Sequence, residues 1–493
     1  MRLSLVVLLW TSSDAAKIIF NGMHSSDSHI ASMLPLATRL AQEHHSIHFL
    51  ETNTKSSHYR YPNNISFTHI QLKKDPYFLY VVLKVMWTKI YGPIEFPRVW
   101  QTGDNAFVET LEEHPQKVNP VIDEPWDLVF ADELFAVSSY ALAMRAQQRG
   151  RPFVTLSTCI PTNLLKYHLS LGTPFAMRPS MYHRNAVPYL IETFANRLHA
   201  VIQETWVAIR VQYVTAYNAV QGLNRIGIVD FDFSKLAKLS AYIFLDDVNS
   251  LVFPSSVGTE IIEVGFHCPR KEELSQEYLD FVNDPFSRGT ILIAFGSNVV
   301  WDYASDELME TVVVALNRLS EYRVVFSYNG DRKRVTLLGR HVKITRWAPQ
   351  KGILSHNKTV AFISHGGLKS LKDTICGGVP VVYIPLFAEQ SHNGEVARSA
   401  GFAETLSKTR LTSDLIEKTV RRVAEKTLSA HCSHYIRPFL SVSYCVLNTA
   451  HTYLSVSLSL GALSRTYWVV RVSFVSPCFW RQPVSDASSA HNY

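Results

Sequence analysis

The 493-residue chain has no block of lysine and arginine. Its net charge of +6 is mild and spread out, so nucleic acid is not called for as a partner; a slight excess of base suits an anionic ligand. Cysteine is scarce. The six present (Cys159, Cys268, Cys376, Cys432, Cys445 and Cys478) have neither metal-ligand spacing nor a paired framework, and the first three read as chance burial. No G-x-G-x-x-G follows the first strand-like run, which disfavours a dinucleotide-dependent oxidoreductase. No apolar run is long enough to span a bilayer. Pro76–Trp100 is rich in aromatics but interrupted, and Arg465 and Arg471 cut Tyr453–Trp480 into short pieces. A D-x-D at Asp230-Phe231-Asp232 lacks the flanking apolar strand of a metal–nucleotide site and reads as a solvated or capping pair.

What the chain does have is apolar mass. At 47% hydrophobic over this length it can bury two cores, which makes two domains the expectation. Its first residues, MRLSLVVLLW then TSSDAAK, carry a basic start, a short apolar segment and small residues near Ala15 and Ala16. That is the form of a secretory signal peptide over residues 1–16, with a buried first strand as the alternative. Asn64-Ile65-Ser66 and Asn357-Lys358-Thr359 have the form of glycosylation acceptors, the second expected to be less accessible. Pro76–Trp100 suits the wall of an apolar pocket, a membrane-surface contact, or a core helix with its loop.

The densest chemistry lies between Arg346 and Asn393. AFIS (361–364) is strand-like, His365-Gly366-Gly367 turns, and Leu368–Cys376 can form a helix with Leu368, Leu371 and Ile375 on one face. Gly377-Gly378 stops it, and Val379–Pro385 is a second buried-type strand. A strand–Gly turn–helix unit makes an anion site, because free N–H groups at the helix start point at the ligand and glycine lets the backbone approach. His365 and Ser370 add side-chain donors, and Asp373 lies one turn on to accept from hydroxyls. Upstream, Trp347 and Gln350 suit a nucleobase; downstream, Glu389 and Gln390 suit a sugar. Base, ribose, diphosphate and sugar each have a candidate partner here.

The first half follows the same grammar. Lys17–Phe20 (KIIF) reads as a strand, and Ile30–Glu43 as a helix bent by Pro35, capped by Ser28, with His29 in its first turn. That position faces the crevice in which open α/β sheets bind ligands. Trp126–Asp132 (WDLVFAD) is a strand ending in a carboxylate; Asp127 opens the same strand at the wrong end. The acidic segment Cys268–Asp284 reads as an interdomain linker, and Gly289–Phe295 as a buried strand followed by the turn Gly296-Ser297-Asn298.

In order, W-x-P-Q, the H-x-G-x-x-S block, an acidic residue three beyond that Ser, G-V-P, and an acidic–Gln pair with Asn three further on resemble the signature of the UDP-glycosyltransferase family, over roughly residues 17 to 426. Asp373 stands where that family has Glu, and Glu389 where it has Asp, each shifting a carboxylate by one methylene. The resemblance implies an α/β fold of two Rossmann-like domains facing a cleft, the GT-B arrangement. Residues 17–270 would bind the acceptor, 271–426 the UDP-sugar, and 427–493 would be an atypical tail without the family's membrane-spanning helix. It implies His29 as general base, Asp132 as its partner, and Gly296 and Ser297 against the diphosphate, beside Trp347, Gln350, His365, Gly367, Ser370, Asp373, Glu389 and Gln390. The expected activity is inverting transfer of glucuronic acid or glucose from a UDP-sugar to a small lipophilic acceptor. No metal or cofactor is implied, and the UDP-sugar is a co-substrate. A catalytically inactive UDP-sugar- or ligand-binding protein is the alternative, on account of the tail. The expected compartment is the endoplasmic reticulum, lumenal or membrane-associated, or secretion if the tail is genuine; homo-oligomers are compatible with either.

Overall fold

The structure, a computed structural model, describes residues 15–73, 84–89, 98–158, 168–169, 176–180, 183, 188–215, 220–246, 253, 258–265, 268 and 272–425. Residues 1–14 of the expected signal peptide, most of Pro76–Trp100, Cys159 and the tail after residue 425 lie outside it.

Two parallel sheets carry the chain. The first has seven strands: β1 (Lys17–Asn21), β2 (Ser46–Asn53), β3 (Ile65–Gln71), β4 (Leu128–Asp132), β5 (Phe153–Ser157), β6 (Tyr242–Leu245) and β7 (Ile261–Glu263), in the order β3-β2-β1-β4-β5-β6-β7. The second has six: β8 (Thr290–Ala294), β9 (Arg323–Ser327), β10 (Val342–Thr345), β11 (Thr359–Ser364), β12 (Val381–Tyr383) and β13 (Ala403–Thr405), ordered β10-β9-β8-β11-β12-β13. Every strand pairing is parallel. Parallel sheets need helices on both faces, so their strands read as unbroken apolar runs; β4, β5 and β8 are buried at every position.

In both sheets the order reverses once, between β1 and β4 and between β8 and β11. At such a switch point the flanking connections leave on opposite faces and open a crevice at the carboxyl ends of the strands. The loops after β1, β4, β8 and β11 are therefore where ligands should meet the fold. His29, Asp132, Gly296 and His365 all follow or close those four strands.

The helix α1 (Asp27–Gln42) starts slightly ahead of expectation. Its N-cap is Ser26 rather than Ser28, and Asp27 sits in the first turn, where a carboxylate favours the helix N-terminus. Pro35 lies inside the helix. The linker is likewise not irregular throughout, since Gln276–Val282 is helical. Asp232 caps the helix Phe233–Leu239 by accepting from the Lys235 N–H at 2.8 Å, and Asp230 pairs with the Lys235 ammonium, so each carboxylate of the D-x-D holds local structure.

Two expectations are corrected. Cys268 and Cys376, read as chance burial, form a disulfide across 108 residues with Cα atoms 5.5 Å apart. It fastens the linker to the end of the helix α3 (Leu368–Gly377); α2 (Val137–Gln148) is the helix between β4 and β5 of the first domain. Cysteines so far apart carry no local pattern, which is why spacing could not reveal the pair. Asn357, expected to be less accessible, is exposed, because it lies in the turn before β11, at the end of the sheet away from the cleft.

The domains touch beyond the linker. Met86 and Trp87 are buried in the second domain's core, where the indole packs on Phe295 and Trp301 and its N–H reaches the Val300 carbonyl at 2.9 Å. The helix α4 (Gln390–Ser399) meets the first domain through Glu395, which accepts from the Tyr189 N–H at 3.0 Å. Among the described residues no helix is long and apolar enough to cross a membrane.

Candidate active site

At the first switch point five residues separate the end of β1 from the start of α1, which brings the buried His29 to the carboxyl end of β4. Its Nδ1 lies 2.5 Å from Oδ2 of Asp132, a carboxylate with no solvent exposure. Asp132 is held by the N–H groups of Met23 (3.0 Å) and Leu134 (3.1 Å), so its position does not depend on the imidazole. With Nδ1–H given to the carboxylate, Nε2 is the nitrogen able to accept a proton. The competing Asp127 is at the opposite end of the strand, accepting from the Lys17 N–H at 2.9 Å and pairing with Arg151 at 3.1 Å.

One member of this group escaped the sequence. Thr158, the residue after β5, places Oγ1 2.5 Å from His29 Nδ1 and 3.3 Å from Asp132 Oδ1. It closes the strand next to β4, so Asp132 and Thr158 come from neighbouring strand ends and His29 from the helix that follows β1. Its only signal is that register: the position at the end of the adjacent strand.

At the second switch point the His365 ring fills the gap between two glycine turns. A Cβ on Gly296 would stand 2.9 Å from its Cε1, and one on Gly367 2.6 Å from its Nε2. Only residues without a side chain let the imidazole sit between the β8 and β11 turns. Phe295 stacks on the ring with centroids 6.2 Å apart. Burial pulls the His365 pKa from 6.5 to about 4, so near neutrality the ring is an uncharged donor. Between those values the unfolded chain binds more protons than the folded one. The stabilisation from this group is therefore complete above pH 6.5 and lost as pH falls through about 4. Two outcomes follow. The unfolding midpoint should drop over that acid window, less steeply in His365→Asn. In Asp373→Asn/Glu389→Gln, which removes the two donor-site carboxyls whose pKa burial raises, affinity for UDP-glucose, whose diphosphate does not titrate there, should stay flat from neutrality to about pH 5. A rise in affinity on mild acidification in that variant would mean that His365 charges.

Gln350 donates from Nε2 to Asp373 Oδ2 at 2.8 Å, which leaves its carbonyl oxygen to accept from a base N–H. Burial raises the Asp373 carboxyl's pKa, and the Gln350 bond and the charges of Lys351, Lys369 and Lys372 oppose that rise. Trp347 is 68% exposed, a bare aromatic plane one turn ahead of Gln350. Ser370 is buried in α3, whereas Ser297 is exposed beyond β8. Gln390 is buried, and its side-chain oxygen accepts from the N–H groups of Leu386 (2.9 Å) and Phe387 (3.1 Å); it shapes the loop that carries Glu389. Asn393 Nδ2 holds the Gly366 carbonyl at 2.9 Å.

Burial raises the pKa of Glu389, and the backbone N–H groups of Glu389 and Leu368 and the charge of Lys369 oppose that rise. The α3 start meets the first domain one turn from His29 on α1. Lys369 contacts Asp246 and Ser32 of the first domain, and Lys372 contacts the other Asp246 oxygen. Burial pulls Lys372 down to about 7, and the charge of Asp373 works against that pull. No group of three or more His, Cys, Asp or Glu side chains able to hold a metal is found among the described residues.

The sequence model of the family described as UDP-glucoronosyl and UDP-glucosyl transferase matches residues 115–430. The mouse UDP-glucuronosyltransferase 1-2 is 31% identical over 189 residues, covering 38% of this chain and 34% of that protein. Mouse UDP-glucuronosyltransferase 1A1 is 33% identical over 159 residues, 32% of this chain and 29% of that one. The chain thus spans about a third of the length of these relatives. Among solved structures, the TcCGT1 complex with UDP superposes with a TM-score of 0.60 at 15% identity, over 91% of this chain and all of that one. The UGT2 of Phytolacca americana, with UDP-2fluoro-glucose and pterostilbene, gives 0.59 at 16% identity, over 90% of this chain and 100% of the other. These likenesses establish the fold, two parallel α/β domains in the GT-B arrangement.

Proposed function

The chain belongs to the UDP-glucoronosyl and UDP-glucosyl transferase family, and from that premise we propose that it moves glucuronic acid or glucose from a UDP-sugar to a hydroxyl of a small lipophilic acceptor. The observation that carries this reading is that His29, paired with Asp132 at one switch point, lies one turn from Ser32 on α1, which the Lys369 ammonium at the α3 start of the other switch point contacts.

The acceptor hydroxyl enters from the first domain and gives its proton to His29 Nε2 as its oxygen attacks the sugar C1. Asp132 and Thr158 hold the ring, and Asp132 stabilises the imidazolium that forms. On the opposite face of C1 the bond to the diphosphate breaks. UDP leaves against the Gly366-Gly367 turn, the N–H groups at the α3 start, neutral His365 and the Ser297 hydroxyl. Uracil lies on Trp347 with Gln350 at its edge, the ribose faces Asp373, and Glu389 takes sugar hydroxyls. One displacement inverts the anomeric centre. Proton, sugar and leaving charge each have a side chain, so the reaction as written calls for no resident cofactor. An oxidising compartment such as the endoplasmic reticulum suits the Cys268–Cys376 disulfide.

The test is product analysis. Incubated with UDP-glucose, UDP-glucuronic acid and a phenol, the chain should yield a β-glycoside of one sugar from the α-linked donor, read by NMR coupling at C1. An α-glycoside would overturn the single displacement. Bound UDP with no glycoside from either donor would favour a binding protein instead.

A further inference from the structure

Among the described residues, the anion cradle contains no fixed cation. Its donors are backbone N–H groups, hydroxyls and an imidazole that burial keeps neutral. A UDP-sugar nevertheless brings two negative charges, and a third develops on the leaving oxygen unless it is met. A cation stands immediately beside the cradle. Lys369 is two residues beyond Gly367, in the first turn of α3, and its charge is felt by Asp373 on the ribose side and Glu389 on the sugar side.

Its present partner is shared. Asp246, at the end of β6, has a 2% exposed side chain and receives two ammonium groups, Lys369 on one oxygen and Lys372 on the other. Ser32, one turn after His29 on α1, donates to the same Asp246 oxygen at 2.6 Å and also touches Lys369. Two lysines for one carboxylate is more cation than the pair needs. Removing one partner of a buried ion pair is strongly destabilising because it strands a charge. Here Lys372, 7% exposed, would still neutralise Asp246 if the more exposed Lys369 left. A lysine carries its charge on a flexible four-carbon stem, which lets it change partner without backbone movement.

We infer that Lys369 is a catalytic residue of this chain: on donor binding its ammonium passes from Asp246 to the diphosphate and stays with it as UDP departs, while Lys372 holds Asp246. The exchange rests on the donor-site reading above. It also links the domains, because the lysine's resting partners lie on β6 and on the helix that carries His29.

UDP and uridine, titrated against the wild-type full chain, Lys369→Gln, Lys369→Arg and Asp246→Asn, test this. Lys369→Gln should weaken UDP about tenfold or more, the scale of a lost charge-assisted hydrogen bond, and leave uridine unchanged. Lys369→Arg should recover part of the loss. Asp246→Asn, which releases Lys369 from its competitor, should bind UDP more tightly. A lysine that only bridges the domains predicts the reverse sign for Asp246→Asn. Equal UDP binding by Lys369→Gln, a parallel loss of uridine, or weaker UDP binding by Asp246→Asn overturns the exchange while leaving the donor site intact. A wild-type chain that binds neither probe overturns the donor site and this inference together.

Discussion

His29→Ala should lower kcat by about 10²–10⁴-fold while leaving UDP affinity at its wild-type value. The base and the donor site lie on different domains, so the two readouts separate. The imidazole is buried, and its Nδ1 is committed to Asp132 and Thr158. Its contribution is therefore to take the acceptor's proton in the transition state rather than to hold the donor. Asp132→Asn should lose activity on a similar scale for a different reason. An amide can donate to Nδ1, which would place the ring hydrogen on Nε2 and turn the base into a donor. Leu134 N–H would still hold the one remaining side-chain oxygen, at the Oδ1 place, while the Met23 N–H would lose its acceptor at Oδ2, so the fold should survive at some cost in stability. Thr158→Val removes one neutral hydrogen bond and should slow the reaction about fivefold. A loss of UDP binding in step with kcat in His29→Ala would place His29 in the donor site and contradict this division.

The second large effect is on stability. Joining residues 108 apart removes chain entropy from the unfolded state, which on the loop-closure account stabilises by about 5 kcal/mol. The double variant Cys268→Ser/Cys376→Ser leaves no unpaired thiol behind from the bridge. Its denaturant midpoint should fall by an amount that wild-type protein reproduces in reductant and the variant does not. The helix tied by the bridge carries Lys369, Ser370, Lys372 and Asp373, so donor affinity should weaken as the α3 end loosens. An unchanged midpoint would mean that the linker is held by packing alone.

The parts of this molecule that were legible in sequence are those whose cause is local. Buried parallel strands must be apolar on both faces, so KIIF, WDLVFAD and AFIS announce themselves. A turn that threads an imidazole between two backbones must be glycine, so His365-Gly366-Gly367 does too. The switch points then follow from strand order, and they bring His29 to Asp132 and Gly296 to His365. What was not legible depends on contacts between distant residues. Thr158 looks like any small residue at a strand end until β5 is laid beside β4. Cys268 and Cys376 lack spacing because the bridge joins a linker to a helix end. Lys369 and Lys372 look like the solvated side of a helix, and only the tertiary fold places Asp246 between them. Ser26 rather than Ser28 is the N-cap by its extended backbone, without a hydroxyl bond to the helix, so side-chain capping chemistry could not have placed the start.

The central claim, sugar transfer driven by the His29–Asp132 pair, is tested most directly by UDP release from UDP-glucose and UDP-glucuronic acid, measured with and without a phenol, in wild type and His29→Ala. The account predicts release from one donor that requires the acceptor and disappears in the variant. Release that ignores the acceptor, or persists in His29→Ala, would contradict it.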